Sequence, residues 1–178
     1  MKEHKIAALW DEQPPSNEKL ECEVLGCIIV SGDEHKCHAE LGLAFNFLIA
    51  EDFYVPCHGL LFLTLKEMWE KSVPFSAACL IQFLRDNGRL CQDGDKEARF
   101  EKLPESYLME ITMDAGFAWN MKYYITMLRS LRWRRSICNM VWDIAQSAYS
   151  ETEPGKWLAD WGREIYELET VFNAEDKP

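Results

Sequence analysis

Two long amphipathic runs separated by a helix breaker limit what this chain can become. The first, Asn120 to Tyr149, reads NMKYYITMLRSLRWRRSICNMVWDIAQSAY and is the longest periodic segment of the sequence. At 3.6 residues per turn, Met121, Tyr124, Leu128, Leu131, Cys138, Trp142 and Ala145 project within about a third of a helix circumference. The segment SETEPG, with Pro154 and Gly155, then interrupts the pattern. A second run follows, KWLADWGREIYELETVF, with Trp157, Leu158, Trp161, Ile165, Leu168 and Phe172 at helical spacing. Helix, short turn, helix is an αα-hairpin. Its apolar residues exceed what one such pair covers, so the hairpin is expected to associate through an exposed apolar face.

The rest of the chain reads as helices too. Residues 1–13 are expected to be a flexible leader. Ser16 or Asn17 can cap a helix from Glu18 to Val30, with Leu20, Val24, Leu25 and Ile28 on its buried stripe. The polar segment SGDEHKCHAELG reads as a loop, and LAFNFLIAEDFY as a short apolar segment. Pro56 suits the first turn of a helix, where its missing N–H costs nothing. Ser76 is a cap for another helix, which Asn87-Gly88 should stop. A charged loop, RLCQDGDKEARFEKLP, precedes a short helix in ESYLMEITMD. No strand periodicity stands out. The expected architecture is all-α: a globular helical subdomain over residues 14–118, a hairpin over 119–173 and a tail over 174–178.

Composition narrows the function. A formal charge of -11 on 178 residues disfavours a general grip on nucleic acid, because the phosphate backbone is repelled. Seven cysteines at irregular spacing, with no secretory leader and no apolar run of membrane length, point to free thiols in a reducing, cytoplasmic setting.

Three blocks, in order, resemble the N-terminal domain of replicative DNA helicases of the DnaB family. They are PPSNEKLECEVLG (Pro14 to Gly26), EDFYVPCHGLLF (Glu51 to Phe62) and YLMEITMDAGFAWNMKYYITMLRS (Tyr107 to Ser130). The resemblance implies a helical globular part followed by a hairpin, with hairpins pairing and three pairs forming a collar above the motor domains. It also implies docking of the primase C-terminal domain or of a helicase loader, self-association as a dimer or hexamer, and no membrane contact. The turn GFAW replaces a more polar one of the family. No segment has the form G-x-x-x-x-G-K-[ST], whose amides and Lys hold nucleotide phosphates, so no ATPase or helicase activity and no cofactor is expected of this chain. The sequence stops about where the family's linker to the motor would begin. A free-standing adaptor or antagonist of a helicase is the alternative.

Candidate chemistry is sparse. Cys57 and His58 are adjacent on a helix, about 100° apart, and do not form a nucleophile–base couple. His58 is expected in the core, hydrogen-bonded to the preceding turn, together with Val24, Leu25, Phe53, Phe62 and Tyr124. His35, Cys37, His38, Cys57 and His58, with Cys22 and Cys27 nearby, are zinc-ligand types but include no C-x-x-C pair; a metal-binding regulator is a further alternative. In the basic cluster Arg129, Arg132, Arg134 and Arg135, Arg135 falls within the apolar stripe and needs an acid such as Asp160, Glu164 or Glu167. DNA contact through this cluster is expected to be weak or indirect. The residues expected at an association interface are Leu128, Leu131, Arg132, Arg135, Trp142, Trp157, Trp161 and Ile165.

Overall fold

Asn17 begins the first helix by accepting a hydrogen bond from the Leu20 N–H at 3.1 Å. Two acids in the first turn, Glu18 and Glu21, favour the positive end of the helix dipole. The computed structural model describes residues 13–33, 37–91, 102–150 and 153–175. Its α-helices are α1 (Glu18–Asp33), α2 (His38–Phe47), α3 (Pro56–Glu70), α4 (Ala77–Asp86), α5 (Glu105–Met113), α6 (Met121–Ser150) and α7 (Pro154–Glu175). Short 3-10 turns lie at Ala50–Asp52 and Ala118–Asn120. The chain divides into a globular unit, Pro15–Arg132, and a second unit that holds Pro14 and the hairpin from Trp133 onward.

The stop and start signals operate as local chemistry dictates. Pro56 occupies the first turn of α3. Ser76 Oγ accepts from the Cys79 N–H, and Asn87 ends α4 ahead of Gly88, whose φ of 66° favours a residue without a Cβ. Two features depart from expectation. The expected loop SGDEHKCHAELG contributes its first three residues to α1 and its last five to α2; its residues 34–36 lie outside the described ones. Ser31 and Gly32 remain helical because packing overrides their turn preference. Gly32 lies under the Phe75 ring, where a Cβ would come within 2.0 Å of the ring. The second departure is a two-residue parallel pairing, Leu90–Cys91 with Leu103–Pro104, too short to leave a period in the sequence.

The globular core centres on Leu25 and Ile28 of α1, Phe62, Leu65 and Met68 of α3, Leu84 of α4 and Ile111 of α5. Phe45, Phe53, Phe62, Trp69 and Phe75 pack ring against ring beside it. The first three turns of α6 belong to this core: Met121, Tyr124, Ile125, Leu128 and Leu131 are all buried. Tyr124 also accepts from the Phe117 N–H through its hydroxyl, closing the turn before α6.

Helix α1 meets α5 and the turn after it closely at Gly26, where an added Cβ would lie 2.3 Å from the Ile111 carbonyl oxygen and 2.8 Å from Ala115 Cα. Both obstacles are backbone and cannot rotate away. Gly26→Ala should therefore lower the stability of the globular unit by about 2 kcal/mol, the usual range for overpacking. A urea denaturation midpoint unchanged from the parent chain would contradict this close contact.

Candidate functional site

A carboxylate faces inward from α1. Glu21 lies one turn before Val24 and Leu25 on the buried stripe and is completely buried. Its Oε1 accepts from the Tyr54 N–H at 2.7 Å, and its Oε2 accepts from the Val55 N–H at 3.2 Å. These two amides precede the first turn of α3, so the charge also sits at the positive end of that helix. The same Oε2 is 2.6 Å from His58 Nδ1, inside α3. On the other side of the ring, Nε2 lies 2.7 Å from the Tyr107 hydroxyl of α5 and 3.7 Å from Cys22 Sγ. The His58 and Tyr107 rings are nearly parallel, at 7°. Four groups from three helices thus form one chain of contacts.

Burial works against a charged imidazole at this position. The Cys22 thiol and Glu21 carboxylate beside it outweigh that effect and push His58 up to about 9. At neutral pH the ring is an imidazolium: Nδ1–H donates to Glu21, and Nε2–H donates to the Tyr107 oxygen. Burial, with Cys22 and Cys57 close by, holds the Tyr107 hydroxyl well above its ordinary value, so it keeps its proton. His58 is a core residue, but its partners are Glu21 and Tyr107 rather than the preceding turn. A second buried carboxylate, Asp52, accepts from the Ile49 N–H at 2.8 Å and faces Arg132 Nε at 3.0 Å.

The hairpin has a defined seam. Trp133 meets Phe172 edge to face at 5.2 Å, while Ser147 Oγ accepts from Trp157 Nε1 at 2.7 Å and from Trp161 Nε1 at 3.1 Å. Pairing 133 with 172 and 147 with 157 makes α6 and α7 antiparallel. Met140, Ile144 and Leu168 are half-buried along the same line. Among the described residues, four large aliphatic side chains of the hairpin stay exposed: Ile137 (51%), Val141 (54%), Leu158 (63%) and Ile165 (49%). At 100° per residue, each stands roughly 50–90° to the same rotational side of its helix's seam line. In an antiparallel pair, equal rotational sense on both helices points to one side of the hairpin. The four residues therefore form a single apolar face beside the seam.

The residues singled out from sequence fall into separate places. Val24, Leu25, Phe53, His58, Phe62 and Tyr124 are buried in the globular unit. Leu128 and Leu131 are buried there as well, and Arg132 is engaged with Asp52 in the same unit. Trp157 and Trp161 lie on the hairpin seam, half-buried. Arg135 is half-buried and Trp142 and Ile165 are exposed. Asp160 pairs with Arg163 of its own helix at 3.6 Å. Among the described residues no group of three His, Cys, Asp or Glu side chains converges on a metal position; His35 lies outside them. No described helix is long and apolar enough to cross a membrane. Sequence reasoning did not single out Glu21, Asp52 and Tyr107, nor Ile137 and Val141. For Glu21 a signal existed: an acid at helical spacing with Val24, Leu25 and Ile28 must be paired, the rule already applied to Arg135.

The Glu21–His58 pair makes stability depend on pH. A histidine whose folded value lies above its ordinary 6.5 stabilises fully below that pH, and the contribution is lost as pH rises through about 9. The shift corresponds to about 3 kcal/mol at most. Urea unfolding followed from about pH 6.5 to above 9 should show that decline. In Glu21→Gln the decline should flatten, with about 3 kcal/mol lost at neutral pH because a buried charge has lost its partner. Equal slopes in the parent and variant would rule out a charged pair.

Comparison with known proteins now places the chain. The family model of the DnaB-like helicase N-terminal domain matches residues 13–130. The replicative DNA helicase DnaB of Pasteurella multocida (strain Pm70) is 27% identical over 137 residues, covering 77% of this chain but only 26% of that protein. The crystal structure of the N-terminal domain of DnaB helicase from Mycobacterium tuberculosis superposes with a TM-score of 0.69 at 20% identity, over 88% of this chain and 99% of that one. The chain belongs to the DnaB-like helicase N-terminal domain family.

Proposed function

We propose that this member of the DnaB-like N-terminal domain family is an assembly domain for DNA replication, and that its hairpin binds a second copy of the same chain. The observation that carries the reading is the face formed by Ile137, Val141, Leu158 and Ile165. Isolated exposed aliphatics are ordinary on a protein surface, but four of them gathered on one side of two helices are characteristic of an association surface. The occupant is a second copy because the family match gives the chain helicase relatives. The face is also built from two antiparallel helices of one hairpin, which suits a two-fold pairing of like with like.

In this reading the work of the chain is mechanical. Burying the four aliphatics across a pair removes apolar area from water, and the half-buried Trp157 and Trp161 hold each hairpin rigid through Ser147. The sequence contains no phosphate-cradling loop, so nucleotide hydrolysis is assigned to a motor domain elsewhere and not to these residues. Docking of primase, or of another replication partner, would occur on the assembled hairpins. A free-standing adaptor that joins or blocks a helicase ring would use the same face and differ only in which second chain it meets.

Sedimentation equilibrium of the full chain tests the proposal. The parent should associate to a dimer or a multiple of dimers. Val141→Asp with Ile165→Asp should weaken self-association about a hundredfold or more, since each buried carboxylate is left without a partner. Helical content should stay unchanged, because both positions are exposed. A parent chain that remains a monomer at concentrations near millimolar would overturn the reading.

A further inference from the structure

Cys22 packs against the edge of the core, but its polar contacts go beyond packing. It is half-buried on α1, next in sequence to Glu21. Its Sγ lies 3.7 Å from His58 Nε2 and 3.9 Å from the Tyr107 hydroxyl. Behind the imidazole, Glu21 Oε2 at 2.6 Å fixes the ring and balances its charge. Thiol and phenol therefore share the Nε2 side of one imidazole, with the carboxylate on its Nδ1 side. A thiol with an imidazole nitrogen in reach is the pairing that thiol chemistry uses, the ring handling the protons that the sulfur's reaction moves.

We propose that Cys22 is an oxidation site for hydrogen peroxide and related small hydroperoxides, with His58 assisting the reaction. The proposal is independent of the assembly reading. In the step, the Cys22 thiolate attacks one peroxide oxygen and a new S–O bond forms. The O–O bond breaks, sulfur is oxidised by two electrons, and the peroxide is reduced. The departing hydroxide takes a proton from the imidazolium at Nε2 and leaves as water. The ring regains its proton from solvent, so the net change is a thiol and hydrogen peroxide giving a sulfenic acid and water. Glu21 is a positioning residue: it holds the Nδ1 side, so that Nε2 is the nitrogen facing the sulfur.

Other cysteines of the chain provide contrasts. Cys27, one and a half turns further along α1, is buried, and that burial raises its thiol above the ordinary value. Cys57 is buried at the start of α3. Cys138 is exposed on α6 in the other unit and serves as an internal reference for unassisted reactivity. A small oxidant suits the site better than an extended substrate, because the sulfur is half-buried among groups from three helices.

The test treats the full chain with hydrogen peroxide in the presence of a cyclic diketone that traps sulfenic acids, and maps the adducts by peptide mass spectrometry. Cys22 should be labelled about tenfold faster than Cys138, although it is the less exposed of the two. His58→Gln should lower the Cys22 rate about tenfold and leave the Cys138 rate unchanged. Should that variant fail to fold, Tyr107→Phe keeps the Glu21–His58 pair and removes only the hydroxyl. It should raise the Cys22 rate several-fold with helical content intact, because Nε2–H is then released from the phenol and free to serve at the sulfur. Labelling of Cys138 ahead of Cys22 in the parent, or a Cys22 rate indifferent to both substitutions, would overturn the proposal.

Discussion

The start of α3 hangs on one carboxylate. Glu21 accepts from two backbone amides and one imidazolium, all within five residues of sequence, Tyr54 to His58. Without it those amides would face a dry core, and the approach of α3 to α1 would not be fixed. His58 then carries the constraint onward to Tyr107, so α5 is tied to the same point. The energetic logic is asymmetric. A buried charge pair adds little over a well-packed apolar pair, but either partner left alone is costly. The arrangement therefore selects one packing of α1, α3 and α5 and penalises the alternatives.

Asp52 extends that logic. It lies three residues before Val55 and faces Arg132 at the end of the globular part of α6. The stretch from Glu51 to His58 is thus held at both ends by ions, Asp52 with Arg132 and Glu21 with His58. It is also the second of the three blocks through which the sequence resembles its family. The chain spends its few buried charges on the one irregular segment that joins α2 to α3, where backbone amides lack helical partners. Apolar packing alone cannot satisfy such groups.

Legibility in the sequence follows how local each cause is. Pro56, Ser76 and Asn87-Gly88 act on their own neighbours, and each marks a helix end in the structure. Ser31-Gly32 looks the same on paper, yet it stays helical because Phe75, more than forty residues away, needs the space a side chain would fill. The block around Cys57-His58 was readable as packing, and its histidine as buried. Its partners were not, because Tyr107 is 49 residues distant and Glu21 37. The two-residue strands had no period to detect. In the hairpin, periodicity marks the apolar arc but not its division, since seam and outer face are neighbouring sectors of one arc. Only Ser147 accepting from both Trp157 and Trp161 shows which sector the tryptophans occupy.

That division explains why the two parts of α6 make different demands. Met121 to Leu131 meet a complete core, and the arginine that follows is matched by a buried acid. Beyond Trp133 the helix that packs on it among the described residues of its unit is α7, and one helix covers only one sector. Tryptophan suits the seam, where its ring excludes water and its N–H finds an acceptor. The aliphatic residues beside it have no polar atom to satisfy, so exposure leaves them with unfavourable hydration and nothing to offset it. A hairpin of this composition gains from any surface that covers Ile137, Val141, Leu158 and Ile165 together. Because those contacts are non-directional, they supply affinity without choosing a partner. The charges around the face must then do the choosing.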